Sequence, residues 1–231
     1  MAQKADLERD LHDTLSRIEQ AHAKPLLSTS FGAEDMVLTD AIARSHRKIS
    51  IATIDTGRLP DETYQLWQSV TEHYGVKIEA FFPAAPAVES YVRINGINAF
   101  YESVAQRREC CHIRKVEPLG RMLAGHGAWI TGLRRAQSAA RSTLSAEEFD
   151  GANKVVKFNP LIEWSDEDVW EYLGEKRVPT HALHARGYPS IGCAPCTRAV
   201  AAGEDLRAGR WWWENETQKE CGLHVAAGPI A

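Results

Sequence analysis

Short apolar runs alternate with helical stretches along this chain, and that alternation limits its fold more than any other feature. Pro25 to Ser30, Ile49 to Ile54 and Val76 to Phe82 read as buried strands. Helices of ten or more residues begin near Glu34-Asp35 and at Pro60-Asp61-Glu62. In the second of these, an early proline and first-turn acids suit the positive end of the helix dipole. Ala128 to Thr131 and Val155 to Phe158 read as two further strands. Ser165-Asp166-Glu167-Asp168 is a capping-box-like start to a helix carrying Val169, Trp170 and Leu173. Upstream of the first strand, Leu7, Leu11, Leu15 and Ile18 recur at helical spacing. The pattern predicts an α/β fold: a mostly parallel sheet with helices on both faces. Polar and glycine residues stand at the strand ends, where such sheets bind ligands.

The 231 residues are 44% hydrophobic and 25% charged, which excludes a disordered, collagen-like or coiled-coil chain. No apolar run approaches the ~20 residues needed to span a bilayer. The opening residues mix both charge signs and do not read as a secretion signal. A net charge of −4 gives no broad cationic field for nucleic acid. The expectation is a soluble, cytoplasmic protein with neither nucleic acid nor membrane as partner. From Ala201 the periodicity fades, and Gly203, Gly209, Gly222 and Gly228 punctuate a charged, tryptophan-rich end. One domain over residues 1–202 and a mobile C-terminal tail over 203–231 are expected.

Five cysteines cluster as Cys110-Cys111, Cys193-Ala194-Pro195-Cys196 and a lone Cys221. The odd number and the absence of a secretory feature argue against a disulfide framework. Four thiolates select zinc or an iron–sulfur cluster. The Cys-x-x-Cys half fits either, whereas adjacent cysteines diverge and suit two irons of a cube better than one tetrahedral ion. A thioredoxin-like redox pair at Cys193 and Cys196 leaves the vicinal pair unexplained. Lys115, four residues after Cys111, shares its face if the stretch is α-helical. There it would balance an anionic cluster and hold an anionic substrate nearby.

Two strand ends suit an anion. Ser28-Thr29-Ser30-Phe31-Gly32-Ala33 offers hydroxyls and backbone N–H groups at a helix start, without the Gly-Lys-Ser/Thr of a Walker loop. Thr131-Gly132-Leu133-Arg134-Arg135, with Arg141 beyond, brings guanidinium groups to the end of another strand.

These pieces together resemble the assimilatory adenylyl-sulfate reductases, within the larger family that also reduces the 3′-phosphorylated nucleotide. The resemblance rests on Ser30-Phe31-Gly32-Ala33-Glu34-Asp35, Ile54-Asp55-Thr56-Gly57 and Cys110-Cys111-His112-Ile113-Arg114-Lys115. It continues through Thr131-Gly132-Leu133-Arg134-Arg135, Phe158-Asn159-Pro160-Leu161, Cys193-Ala194-Pro195-Cys196 and Lys219-Glu220-Cys221-Gly222-Leu223-His224. It implies an adenine nucleotide α-hydrolase-like sheet with the phosphosulfate over the first strand–helix loop. Cys221 would attack the sulfur, release AMP and carry an S-sulfocysteine. Thioredoxin, or a glutaredoxin-like donor, would then free sulfite. Cys110, Cys111, Cys193 and Cys196 would hold a [4Fe–4S] cluster that passes no electrons in turnover. The four cysteines side with adenylyl sulfate over the 3′-phosphorylated substrate. The loop lacks the second serine that many relatives place after the phenylalanine, which leaves backbone donors there.

Substrate contacts are expected from Ser28, Ser30, Phe31, Gly32, Asp55, Gly57, Lys115, Arg134, Arg135, Arg207, Arg210 and His224. Lys219 and His224 flank Cys221 as groups able to favour its thiolate, and Arg207 and Arg210 suit a phosphosulfate clamp. Assembly as a homo-oligomer is left open. The alternative enzyme is an ATP-dependent tRNA sulfurtransferase with a cysteine-ligated cluster, which calls for a fuller glycine–serine loop and a basic RNA face. A cluster-based sensing module would explain the four cysteines but neither Cys221 nor the anion-suited strand ends.

Overall fold

The structure is a computed structural model in which residues 2–138 and 141–214 are described. Six strands form one sheet: β1 (Pro25–Thr29), β2 (Ser50–Ile54), β3 (Ile78–Phe81), β4 (Ala128–Ile130), β5 (Glu147–Asp150) and β6 (Val155–Phe158). Their order is β3-β2-β1-β4-β6-β5, parallel throughout except where β5 pairs antiparallel with β6. The five expected strands are present. β5 is an addition, a charged edge strand with Phe149 exposed and no apolar alternation to announce it.

Alternate residues of the strands feed two cores, as a pleated sheet covered on both faces requires. Leu27, Ile51, Ile130 and Phe158 face one side. There they meet α1 (Ala2–Ala21), α2 (Ala33–Arg44), α3 (Asp61–Tyr74) and α7 (Asp166–Lys176), through residues such as Leu15, Met36, Val70 and Leu173. Leu26, Ala52, Trp129 and Val155 face the other side and pack on Leu119, Met122 and Leu123 of α6 (Glu117–Leu123). At the start of α7 the capping box forms: Asp168 N–H donates to Ser165 Oγ at 3.1 Å, and Ser165 N–H donates to Asp168 Oδ2 at 2.8 Å.

Between β3 and β4 the chain makes α4 (Ala85–Asn95), α5 (Val104–Cys111) and a π-helical turn over His112–Val116 before α6. Such wide turns often mark functional sites. Residues 203–214, on the tail side of the expected boundary, fold onto the domain. Thr197 and Arg210 form an antiparallel bridge, and Trp211 N–H donates to Cys196 O at 3.1 Å. Gly209 permits this closure, since a Cβ there would lie 2.2 Å from Arg198 O. Among the described residues no helix is long and apolar enough to cross a membrane.

Candidate active site and cysteine centre

Beyond β1 the chain connects toward β2 on one side, while β4 flanks it on the other, so the strand order reverses at this point. A crevice outside the C-terminal strand ends is the expected ligand site. A cleft of about 360 Å³ opens there. Ser28 and Ser30 line it from the end of β1, Thr53 and Thr56 from β2, and Thr131 and Gly132 from β4. Trp129 Nε1–H donates to Ser28 Oγ at 2.7 Å, leaving the serine hydroxyl its own proton to offer.

The first loop is built differently from a simple cradle of amides. Ser30 N–H donates to Asp35 Oδ2 at 2.6 Å, and Phe31 N–H donates to Thr29 Oγ1 at 3.0 Å. Two expected backbone donors are therefore engaged within the loop. Phe31 adopts φ +61 and is 1% exposed, its ring 5.9 Å from that of Trp67. Left-handed backbone at a bulky residue is strained, and burial of the ring offsets that cost. Phe31 anchors the loop rather than lining the cleft. Gly32 lies at the N-cap of α2, also outside the cleft lining.

Asp55 and Gly57 shape the neighbouring loop. Asp55 Oδ1 accepts from Gly57 N–H and from the Tyr64 hydroxyl, both at 2.8 Å, and Gly57 has φ +69. Neither residue lines the cleft, but Thr56 between them does. Its Oγ1 accepts from Arg58 N–H at 3.2 Å and lies 3.2 Å from Cys193 Sγ. Either atom can donate while the sulfur is a thiol; to a thiolate the hydroxyl is the donor.

The arginines divide. Arg207 and Arg210 line the cleft, as do Lys115 and Arg141. Arg210 is 7% exposed and donates to Ser190 Oγ and Ile191 O, both at 3.2 Å, while among the described residues its buried Nε–H has no acceptor. Gly192 makes the room, because a Cβ there would lie 2.3 Å from Arg210 Nη2. Arg134 also lines the cleft, but its guanidinium donates to Glu34 Oε1 (2.7 Å), Trp164 O (3.0 Å) and Asp166, bracing α2 against α7. Arg135 is turned elsewhere, donating to Leu144 O and Glu163. From the sequence, Arg141 counts among the anion-suited guanidinium groups but not among the expected substrate contacts, and Thr56 and Asp35 stand only within longer motifs. Cys221 and His224 lie outside the described residues.

The cysteines form a second centre beside the cleft. Cys110, Cys111, Cys193 and Cys196 line one small cavity with Arg58, Arg107, Arg114 and Lys115. Lys115 lines both cavities. Burial, followed by the charge of Cys193, pushes the Cys196 thiol up to about 12, and burial likewise raises Cys110. Bare thiolates are therefore disfavoured unless positive charge is supplied. Trp211 and Trp213 pack against Cys111 and Cys196, and among the described residues their buried indole N–H groups have no acceptor. Among the described residues no three His, Cys, Asp or Glu side chains converge as they would around a single metal ion. Four soft donors, four flanking cations and two idle indole donors fit a larger anionic group better than a tetrahedral zinc site.

Comparison with known proteins identifies the family. The phosphoadenosine phosphosulfate reductase domain profile matches residues 24–199. The chain belongs to that family. Relatives include adenosine 5′-phosphosulfate reductases of Burkholderia cepacia, 54% identical over 96% of this chain and 88% of theirs, and of Allochromatium vinosum, 53% identical over 92% and 83%. The family likeness extends to structure. A phosphoadenylyl-sulfate reductase from Candida auris, solved as a phosphate complex, superposes with a TM-score of 0.70 at 26% identity, covering 82% of this chain and 90% of that one. Yeast FAD synthetase, at 16% identity and a TM-score of 0.58, shares the fold.

Proposed function

We propose that the chain reduces adenosine 5′-phosphosulfate to sulfite and AMP through an S-sulfocysteine on Cys221, with thioredoxin as reductant. The Cys221 thiolate attacks the sulfur of the phosphosulfate. The bond from that sulfur to the bridging oxygen breaks, and AMP leaves with the electron pair. A thioredoxin thiolate then attacks Cys221 Sγ and sulfite departs; the second thioredoxin thiol resolves the mixed disulfide. Two electrons from the dithiol thus take sulfur from the sulfate to the sulfite level.

The observation that carries this reading is the cleft itself, at the switch point of a sheet shared with nucleotide-binding enzymes. Among the described residues its buried Arg210 Nε–H lacks an acceptor. Lys115, Arg141, Arg207 and Arg210 supply the charge that a dianion needs, and Ser28 supplies a hydroxyl, while the Ser30 hydroxyl donates to Asp35. Of the relatives, the adenosine 5′-phosphosulfate reductases match over most of their own length.

Cys110, Cys111, Cys193 and Cys196 would hold a [4Fe–4S] cluster. Bound there, it would supply a compact anionic centre linking α5 to the Cys193–Cys196 turn. The chain's own residues answer it with Arg58, Arg107, Arg114, the Thr56 hydroxyl and the indole N–H groups. Lys115 faces this centre and the cleft together, so it orients the substrate's charge while balancing that of the thiolates.

The test mixes the chain, prepared without oxygen, with adenosine 5′-phosphosulfate and no reductant, with the 3′-phosphorylated nucleotide in parallel. Mass spectrometry should find a sulfo adduct on Cys221 that thioredoxin removes. Cys221→Ser should release no sulfite yet retain nucleotide affinity. Nucleotide binding without any adduct in the unsubstituted chain would overturn the mechanism.

A further inference from the structure

Three carboxylates line a cleft shaped for an anion, and two of them are matched by a cation. Glu34 and Asp166 both accept from Arg134. Asp35 is 9% exposed, and among the described residues no salt bridge reaches it. Its Oδ2 accepts from Ser30 N–H at 2.6 Å and Ser30 Oγ at 2.8 Å, and Gly132 N–H donates to the same carboxyl. A Cβ on Gly132 would lie 2.6 Å from Asp35 Oδ1, so β4's end approaches this acid as only glycine allows. Burial holds the carboxyl up at about 6, and Glu34 pushes in the same direction against the three hydrogen bonds.

The charged groups of the surrounding elements are Glu34 on α2, Arg134 and Arg141 beyond β4, Asp166 on α7, Lys115 in the π turn, and Arg207 and Arg210 on the C-terminal loop. His184, whose charge is coupled to Glu34, is the nearby histidine. None of these cations bonds Asp35 in the contacts described above.

We propose that Asp35 takes up a proton from solvent when the phosphosulfate enters the cleft, and that its neutral carboxyl donates a hydrogen bond to an anionic oxygen of the ligand. The inference rests on the functional reading above for the identity of that ligand. An ionised carboxyl is acceptor-only and repels a dianion, whereas the neutral acid carries an O–H donor. Where two like charges share a buried site, one of them is neutralised. The phosphosulfate stays fully ionised around neutral pH, so the proton goes to the protein. It returns to solvent when the ligand leaves.

The experiment is titration calorimetry of adenosine 5′-phosphosulfate into the Cys221→Ser chain at pH 7 and pH 8, in buffers of different ionisation heat. We expect uptake approaching one proton and affinity weakening up to about tenfold between the two pH values. Adding Asp35→Asn, whose amide mimics the neutral donor, should remove the uptake and flatten the pH profile. Asp35→Ser should also remove the uptake, with weaker binding. Binding without proton uptake in the Cys221→Ser chain overturns the proposal alone. Uptake unchanged by either substitution overturns it too, assigning the proton to a histidine. No binding at any pH overturns the functional reading and this one together.

Discussion

Asp35 also sets a stability penalty that can be read from unfolding. Its carboxyl is held at about 6 in the folded chain against an ordinary 3.8. The folded state therefore binds this proton more tightly than the unfolded one, and stability falls as pH rises between those values. Below them no cost remains; above pH 6 it reaches at most about 3 kcal/mol. Asp35→Asn should accordingly stabilise the chain at pH 8 and gain little at pH 4, measured by urea unfolding. Elsewhere in the cleft lining, Gly192→Ala would push its new methyl into the Arg210 guanidinium. The expected result is nucleotide affinity lowered about tenfold, the scale of one charge-assisted hydrogen bond, with Tm nearly unchanged. Residue types at the site were legible: of the expected substrate contacts, Ser28, Ser30, Lys115, Arg134, Arg207 and Arg210 line the cleft. Their partners were not. Nothing in the string Arg134-Arg135 tells which guanidinium braces two helices and which points away, because that is decided by carboxylates 100 and 28 residues distant.

At the level of elements, the strands and helices with a strong apolar period were readable, down to the capping box of α7. β5 was not, because an edge strand of Glu147, Glu148, Phe149 and Asp150 has no buried face to impose alternation. The π turn was hidden too. A spacing of four between Cys111 and Lys115 assumes α-helical geometry, yet His112–Val116 is wound more widely, and Lys115 still reaches both cavities. A buried ion pair ties α5 to the C-terminal segment. Arg107 donates from Nε to Glu214 Oε1 at 2.9 Å and from Nη2 to Oε2 at 2.8 Å, with both side chains almost fully buried. The Arg107 guanidinium also lies 4.7 Å from the Trp211 ring centroid, and that of Arg210 lies at 4.8 Å. Breaking a buried pair leaves one charge stranded and costs on the order of 3–5 kcal/mol. Arg107→Gln should show a loss of that size in chemical denaturation, whereas an exposed pair such as Arg121 with Glu117 should show almost none when cut.

The molecule as a whole joins two centres through a shared wall. Thr56 and Lys115 border both, and the backbone of Cys196 carries Trp211 while the adjoining residues carry Arg210 into the cleft. Damage to the cysteine centre should therefore be felt by the nucleotide. Cys196→Ser is expected to lose broad visible absorption and to bind nucleotide more weakly, checked by absorption spectra and calorimetry on the same preparation. Cys221 follows Glu214 by seven residues. The buried pair with Arg107 thereby acts as a survey point. Seven residues stretch to at most about 25 Å, so, whatever course they take, the thiol keeps within a sphere of that radius centred on Glu214. In the proposed reaction the reductant's thiolate attacks Cys221 and sulfite departs, so that partner must bring its own sulfur to this sphere, which fixes the district of the surface at which the two can meet.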